Sequence, residues 1–149
     1  MKRLMGIDYG TARIGIALSD ELQMLAHPAE TIVVARSADP AARVAAIVLE
    51  KNVERIVVGL PRHMNGSAGE SANEANGFAE KLRTVVQCEV CTWDERLSTA
   101  AAHRALRAAG KSTRQTRDYV DQVAAQFILQ SYLDRRQPNQ GGAEPEPFA

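Results

Sequence analysis

The stretch MGIDYGTARIGIALSD, from Met5 to Asp20, places one carboxylate, Asp8, inside a run that otherwise has the composition of buried strands. Burying a charge without compensation costs several kcal/mol or more, so packing alone would favour Val or Ile at this position. Asp8 is therefore either satisfied by hydrogen bonds in the turn at Gly10 and Thr11, or it binds a metal ion or a phosphate that offsets its desolvation.

The elements around this stretch predict an α/β protein. The link GTA is short and begins with glycine, which predicts an antiparallel hairpin, and a third strand extends it into a meander. Alternating strands and helices follow, so we expect a mixed five-stranded sheet with helices on both faces. The predicted strands are Leu4–Tyr9, Arg13–Ser19, Glu30–Ala35, Arg55–Leu60 and Cys88–Glu95, and the predicted helices are Ala41–Asn52, Ala72–Val86, Ser98–Ala109 and Asp118–Arg135.

Length and composition are those of one globular domain. The chain has 149 residues, 45% of them apolar, and its 18 basic residues balance its 18 acidic ones. We assign residues 1–136 to the domain and expect the polar tail 137–149 to be disordered. No apolar run reaches the length of a membrane span, and Asp8 interrupts the N-terminal apolar run too early for a signal peptide. A cytoplasmic protein is therefore expected.

The cysteines and histidines do not predict a metal site. Cys88 and Cys91 are three residues apart in a predicted strand, so their thiols should point to opposite faces of the sheet. That arrangement suits neither a disulfide nor a shared metal ion. The three histidines are scattered along the chain without the spacing of zinc ligands: His27, His63 and His103.

Three carboxylates stand where packing would not put them. Asp8 lies in the first strand, and Glu95 lies at the carboxyl end of the last strand, where α/β sheets bind ligands. Asp121 falls about 20° from Ile128 at the edge of the apolar stripe of the final helix, whereas Asp118 lies about 60° further towards solvent.

Each acid also has a structural interpretation. Asp8 could satisfy the turn that follows it, Glu95 could bind Arg96 or begin a helix, and Asp121 could be favoured by a helix dipole. Together, three acids at one margin of the sheet need cations, and oxygen ligands of this kind favour Mg²⁺ or Mn²⁺. Two such ions can stabilise the attacking and leaving oxygens of phosphodiester hydrolysis.

A basic segment precedes and enters the final helix. It contains no acid, and it can either contact phosphates or be a solvated surface. Its basic residues are Arg104, Arg107, Lys111, Arg114 and Arg117. We predict that nucleic acid contacts Lys111, Arg114 and Arg117, together with the loop Pro61–Gly69, and that Arg13 and Arg96 assist.

Four segments resemble the YqgF-type, or RuvX-like, family. They are GIDYGTARIGIALSD, GLPRHMNGSAGE, DERLST and VDQVAAQFILQSYL, which occur in the family's order between Met5 and Leu133. Members are described as Holliday-junction resolvases or as nucleases that mature the 5′ end of pre-16S rRNA. The resemblance implies an RNase H-like fold and a divalent-metal nuclease site formed by Asp8, Glu95 and Asp121. Asp94 is the weaker candidate, since its side chain should point away from that of Glu95.

Alternatives to a nuclease stay open. The sequence DYGT also resembles the first phosphate-binding loop of actin-like ATPases, but these need two RNase H-like halves and this chain has the length of one. A second alternative is a non-catalytic nucleic-acid-binding module with the same fold. Within the nuclease class, pre-rRNA is favoured by the family description over branched DNA, and a resolvase would be expected to act as a homodimer.

Overall fold

The computed structural model of the protein describes residues 2–61, 69–97 and 114–136, and at residues 96 and 114–118 it describes the backbone alone. Its strands and helices are β1 Arg3–Asp8, β2 Arg13–Ser19, β3 Ala26–Val33, α1 Pro40–Lys51, β4 Val53–Leu60, α2 Gly69–Val85, β5 Glu89–Asp94 and α3 Arg114–Arg136. The helix predicted at Ser98–Ala109, the interior of the predicted substrate loop, Lys111 and the tail lie outside these residues.

The sheet has the predicted architecture. Its five strands lie in the order β3-β2-β1-β4-β5. Strands β1, β2 and β3 form an antiparallel meander, and β4 and β5 run parallel to β1. Helix α1 begins at Pro40, because the Asp39 carboxylate accepts a hydrogen bond from the Ala42 N–H and Pro40 occupies the first turn.

Three elements begin three or more residues earlier than predicted. Strand β3 begins at Ala26 and not at Glu30, because it is an edge strand and can include Pro28 without losing a ladder hydrogen bond. Helix α2 begins three residues before Ala72 and α3 four residues before Asp118. Both helices start ahead of the apolar periodicity that predicted them.

Apolar side chains form one core on each face of the sheet. Helices α1 and α2 cover one face, packing on a core that includes Met5, Ile7, Ile16 and Val58. Helix α3 covers the other face with Ala125, Ile128, Leu129 and Tyr132, which meet Leu4, Val57 and Trp93. The helices thus lie on both faces, and Cys88 and Cys91 contact opposite cores, as predicted.

Helix α3 crosses the sheet over three strand glycines. A Cβ atom added at Gly6 would lie 2.8 Å from the Ala125 carbonyl oxygen, and one added at Gly15 would lie 2.0 Å from that of Asp121. At Gly59 the added atom would lie 2.5 Å from the Ile128 side chain. These glycines belong to β1, β2 and β4, so they form a shallow path that lets the helix backbone approach the sheet.

Glutamine side chains fix α3 along the edge strand β3. Gln126 donates to the Ala26 carbonyl at 2.9 Å, and Gln130 accepts from the Ala26 N–H at 2.8 Å. One turn earlier, Gln122 donates to the Thr31 hydroxyl at 3.2 Å. Because these residues recur every four positions, they set the position of the helix along the sheet as well as its distance from it.

The glycine path gives a stability test. Gly15→Ala would drive a methyl group into the Asp121 backbone, and we expect it to destabilise the protein by about 3 kcal/mol or more. Gly77→Ala is the matched control, because that glycine is exposed in α2 and an added Cβ meets nothing within 4 Å. The control should stabilise by roughly 0.5–1 kcal/mol. Urea unfolding measures both, and equal effects would contradict the proposed close approach.

Candidate active site

The register of the sheet places Asp8 between two glycines. Asp8, the last residue of β1, pairs with Gly15 on β2. On the other side Ile7 pairs with Val58 of β4, so the next residues along these parallel strands, Asp8 and Gly59, are neighbours. Side chains alternate along strands, and Asp8 therefore points to the same face as Leu4, which is the face that α3 covers.

The other two predicted acids approach Asp8 from opposite sides. Asp121 lies over Gly15, where an added Cβ would be 3.1 Å from the Asp121 Cβ. Glu95 lies beside Gly59, where an added Cβ would be 3.1 Å from the Glu95 Cγ. Neighbouring strands are about 4.8 Å apart, so the two acids flank Asp8 one strand away on either side. The fold thus brings together three acids that are distant in sequence.

Burial makes this group of acids electrostatically unusual. The exposed fractions are 4% for Asp8, 1% for Glu95 and 4% for Asp121. Loss of hydration raises the pKa of Glu95 to about 8, and the charge of Asp94 adds to this effect. The Oδ1 atom of Asp8 and the Oε1 atom of Glu95 are buried and accept no hydrogen bond within the described residues, although both residues have other interactions.

Asp94 lies on the opposite side of the sheet from Glu95. Trp93 packs with the α3 core, so the next residue in β5, Asp94, points towards α1 and α2. Asp94 is nevertheless buried, with 3% of its surface exposed. Its position makes it a neighbouring charge for Glu95, whereas Glu95 shares the face of Asp8.

Arg13 is part of this site. Its Nε donates to the Asp121 Oδ2 at 2.7 Å, which joins the first residue of β2 to helix α3. The Asp121 side chain is 5% exposed and that of Arg13 is 24% exposed, so the ion pair lies at the border of the buried region. We predicted Arg13 as an aid to substrate binding, and the structure shows its contact with a predicted catalytic acid.

The donor set matches a hard divalent cation. Carboxylate oxygens are the ligands that Mg²⁺ and Mn²⁺ prefer, and the three acids lie at the carboxyl end of the parallel strands. Within residues 2–61, 69–97 and 114–136, no three His, Cys, Asp or Glu side chains are spaced to hold an ion as they stand. The three carboxylates are thus suitable ligands for a divalent cation. One of them, Asp121, forms an ion pair with Arg13, which would compete with the cation for this carboxylate.

The other predicted contacts are located only in part. Arg96 follows β5 in a 3-10 turn, and Arg114 and Arg117 lie in the first turn of α3. Their side chains, and Lys111 altogether, lie outside the described residues. Sequence reasoning missed the roles of Gly15 and Gly59, and the signal for them was glycine inside strands, which marks a close backbone approach.

These features define a class of protein. The sheet order, the helices on both faces and the acids at the carboxyl ends of the strands constitute an RNase H-like fold. Solved structures support this: Thermus thermophilus RuvC bound to a Holliday junction substrate aligns with a TM-score of 0.55 and 17% identity, covering 98% of this chain and 100% of that one. Another RuvC structure from the same organism gives 0.56 and 16%, covering 97% and 99%.

The family follows from sequence comparison. A family model described as "RuvX: Holliday junction resolvase" matches residues 2–135, and the chain belongs to the RuvX family. A Bacillus cytotoxicus protein named "Putative pre-16S rRNA nuclease" is 43% identical over 136 residues, which are 90% of this chain and 99% of that protein. A Halalkalibacterium halodurans protein of the same name is 44% identical over 137 residues, covering 91% and 98%.

None of the helices within residues 2–61, 69–97 and 114–136 combines the length and the apolar character that crossing a bilayer requires.

The raised pKa of Glu95 predicts how stability depends on pH without divalent ions. Folding raises this pKa from 4.5 to about 8, so between these values the folded state binds a proton that the unfolded chain has lost. The contribution of Glu95 is therefore fully present below pH 4.5 and is lost as pH rises through about 8, by at most about 1.4 kcal/mol per pH unit.

Substitution isolates this contribution. In EDTA, Glu95→Gln should flatten the fall in the free energy of unfolding between pH 5 and 8 and should stabilise the protein at pH 8. Glu70→Gln, at an exposed acid in the first turn of α2, is the control and should leave the slope as in the wild type. Chemical unfolding at several pH values measures the slopes, and parallel curves for Glu95→Gln and the wild type would contradict the assignment.

Proposed function

We propose that the protein is a metal-dependent nuclease that processes the 5′ end of pre-16S rRNA during ribosome biogenesis. The observation that carries the proposal is the position of Asp121 and Glu95 beside Gly15 and Gly59, the two strand neighbours of Asp8. Two relatives that align with this chain over nearly their whole length have the name "Putative pre-16S rRNA nuclease". These names indicate the substrate that we propose. We expect the protein to bind this RNA in the cytoplasm.

The proposed catalytic and metal-binding residues are Asp8, Glu95 and Asp121. They would hold Mg²⁺ or Mn²⁺, which supplies Lewis-acid activation of water and of the phosphodiester. The chain itself contributes rigid placement, because Asp8 lies in a central strand and Asp121 is fixed by the contact of α3 with the sheet. It also contributes a buried environment in which charges act more strongly than in water.

The proposed nucleic-acid contacts are Arg13, Arg96, Lys111, Arg114 and Arg117. The ion pair of Arg13 with Asp121 supports the inclusion of Arg13. Arg114 and Arg117 begin the helix that carries Asp121, so a backbone that crosses the site would pass this end of α3. Arginine suits such contacts because its planar guanidinium binds phosphate oxygens through two parallel hydrogen bonds.

Resolution of Holliday junctions is the second candidate function, and the description of the matching family favours it. The two candidates differ in an observable way. A resolvase would cut a four-way DNA junction symmetrically and would act as a homodimer, whereas maturation of rRNA needs one cut in one strand.

Cleavage mapping tests activity and substrate together. In Mg²⁺ the wild type should cut a labelled pre-16S leader RNA at a defined site and cut a four-way DNA junction far more slowly. Asp8→Asn and Glu95→Gln should each lower the rate at least about 100-fold. Asp134→Asn, which makes the same change at an exposed position of α3, is the matched control and should keep full activity.

The outcomes separate the candidates. Preferred cutting of the junction would replace the rRNA assignment with the resolvase one. Cleavage that survives Asp8→Asn would contradict the proposed catalytic site, and binding without cleavage would favour the non-catalytic module.

Salt dependence tests the basic segment. Replacing Lys111, Arg114 and Arg117 by Gln should weaken RNA binding and lower the slope of log K against log salt by about 2–3, as expected for three lost phosphate contacts. The control replaces Lys51, Lys81 and Arg135, which are exposed on other surfaces, and should change the slope little. Fluorescence anisotropy between 50 and about 200 mM salt measures both. Equal slopes for the two triple variants would remove the segment from the interface.

A further inference from the structure

The contact of Arg13 with Asp121 has a consequence for cation binding. The guanidinium Nε holds the Asp121 Oδ2 at 2.7 Å, and Asp121 lies one strand away from Asp8. A divalent cation shared by these two carboxylates would lie within a few ångströms of the guanidinium, as the typical strand spacing implies. Like charges at that distance in a buried site repel strongly, so the guanidinium and the cation compete for Asp121.

Packing does not require this ion pair to hold the helix in place. Helix α3 is fixed by its backbone contact at Gly15 and by the hydrogen bonds of Gln126 and Gln130 with the edge strand. At its far end Trp93 donates to the Ser131 hydroxyl at 2.8 Å. The docking of α3 therefore does not depend on the ion pair alone, and the ion pair places a positive charge beside Asp121.

We propose that Arg13 is a positioning residue. Its guanidinium binds Asp121 when no cation is present, and it binds a phosphate of the nucleic-acid backbone instead when the substrate is bound. This inference rests on the proposed function. The partial exposure of Arg13, 24% of its side chain, makes it reachable from solvent, while the Asp121 side chain at 5% is nearly closed to solvent. A phosphate offers the guanidinium an anion in exchange for the carboxylate, and Asp121 then becomes available to the cation.

Such an exchange makes the cation and the nucleic acid bind cooperatively. A phosphate that draws Arg13 away removes the competitor of the cation, and a cation on Asp121 releases the arginine for the phosphate. Because the coupling free energy between two ligands is reciprocal, each should tighten the binding of the other by the same factor. Without substrate, Arg13 keeps affinity for the cation low.

The first experiment is calorimetric titration of the full-length protein with Mn²⁺. Arg13→Gln removes the competing charge and should tighten Mn²⁺ binding about tenfold, whereas Arg13→Lys keeps a positive charge and should stay nearer to the wild type. Adding Asp121→Asn to Arg13→Gln should abolish the gain, which a double-mutant cycle quantifies. A purely structural role would leave Mn²⁺ affinity unchanged or weaken it.

The matched control is Arg43→Gln. Arg43 makes an ion pair with Glu30 at the same 2.7 Å, but it joins α1 to the edge strand away from the acids. This variant should leave Mn²⁺ affinity unchanged. Thermal melting of every variant verifies that it folds, and Arg13→Lys provides the comparison if Arg13→Gln does not.

The second experiment measures the coupling. Anisotropy of a labelled RNA hairpin is compared in Ca²⁺ and in EDTA at equal ionic strength, with a gel to verify that the RNA stays intact. Ca²⁺ should tighten wild-type binding several-fold, and this ratio should approach one in Arg13→Gln.

The outcomes distinguish this inference from the proposed function. If Asp8→Asn and Glu95→Gln abolish Mn²⁺ binding while Arg13→Gln leaves both the affinity and the coupling unchanged, the exchange is wrong and the metal site stands. If the acid variants bind Mn²⁺ as the wild type does, the metal site is wrong and the exchange falls with it.

Discussion

The contact between helix α3 and the glycine path on the sheet is the constraint on which the site depends. Gly6, Gly15 and Gly59 lie on three adjacent strands, and side chains at these positions would meet the helix. If these positions carried side chains, the helix would stand further out and Asp121 would lie further from Asp8. The same absence of side chains gives Asp8 space on both sides. One local feature thus provides both the helix position and the room for the acids.

The site places charge where folding alone would avoid it. Asp8, Asp94, Glu95 and Asp121 are all at least 95% buried, and mutual repulsion adds to the cost of their desolvation. A shift of the Glu95 pKa to about 8 is one response, and the ion pair of Asp121 with Arg13 is another. Both responses reduce the negative charge that the buried region carries in the absence of a cation, and strain of this kind is typical of functional sites.

The sequence predicts much of this structure because its local signals agree. The short glycine-led link GTA and the alternation of strands and helices predict the same five-stranded sheet that the structure shows. The position of Asp121 at the margin of an apolar stripe predicted that it would face the sheet. The contact with Arg13 could not be predicted in this way, because it joins residues 108 positions apart and depends on how far α3 slides along the glycine path.

Acidic residues are exposed at one end of the sheet and buried at the other, and this contrast supports a functional role for the buried acids. Near the amino end of β4, Arg55 donates to the Tyr132 hydroxyl at 2.6 Å and pairs with Glu89, whose side chain is 73% exposed. Solvent can hydrate the Glu89 carboxylate, so that acid carries little desolvation cost. At the carboxyl end the acids are buried among α3 and the strands, where hydration is lost. A fold that can place its charges at an exposed end has no need to bury others, unless the buried ones bind a ligand that compensates them. The divalent cation of the proposed function would compensate the cost of burying these acids.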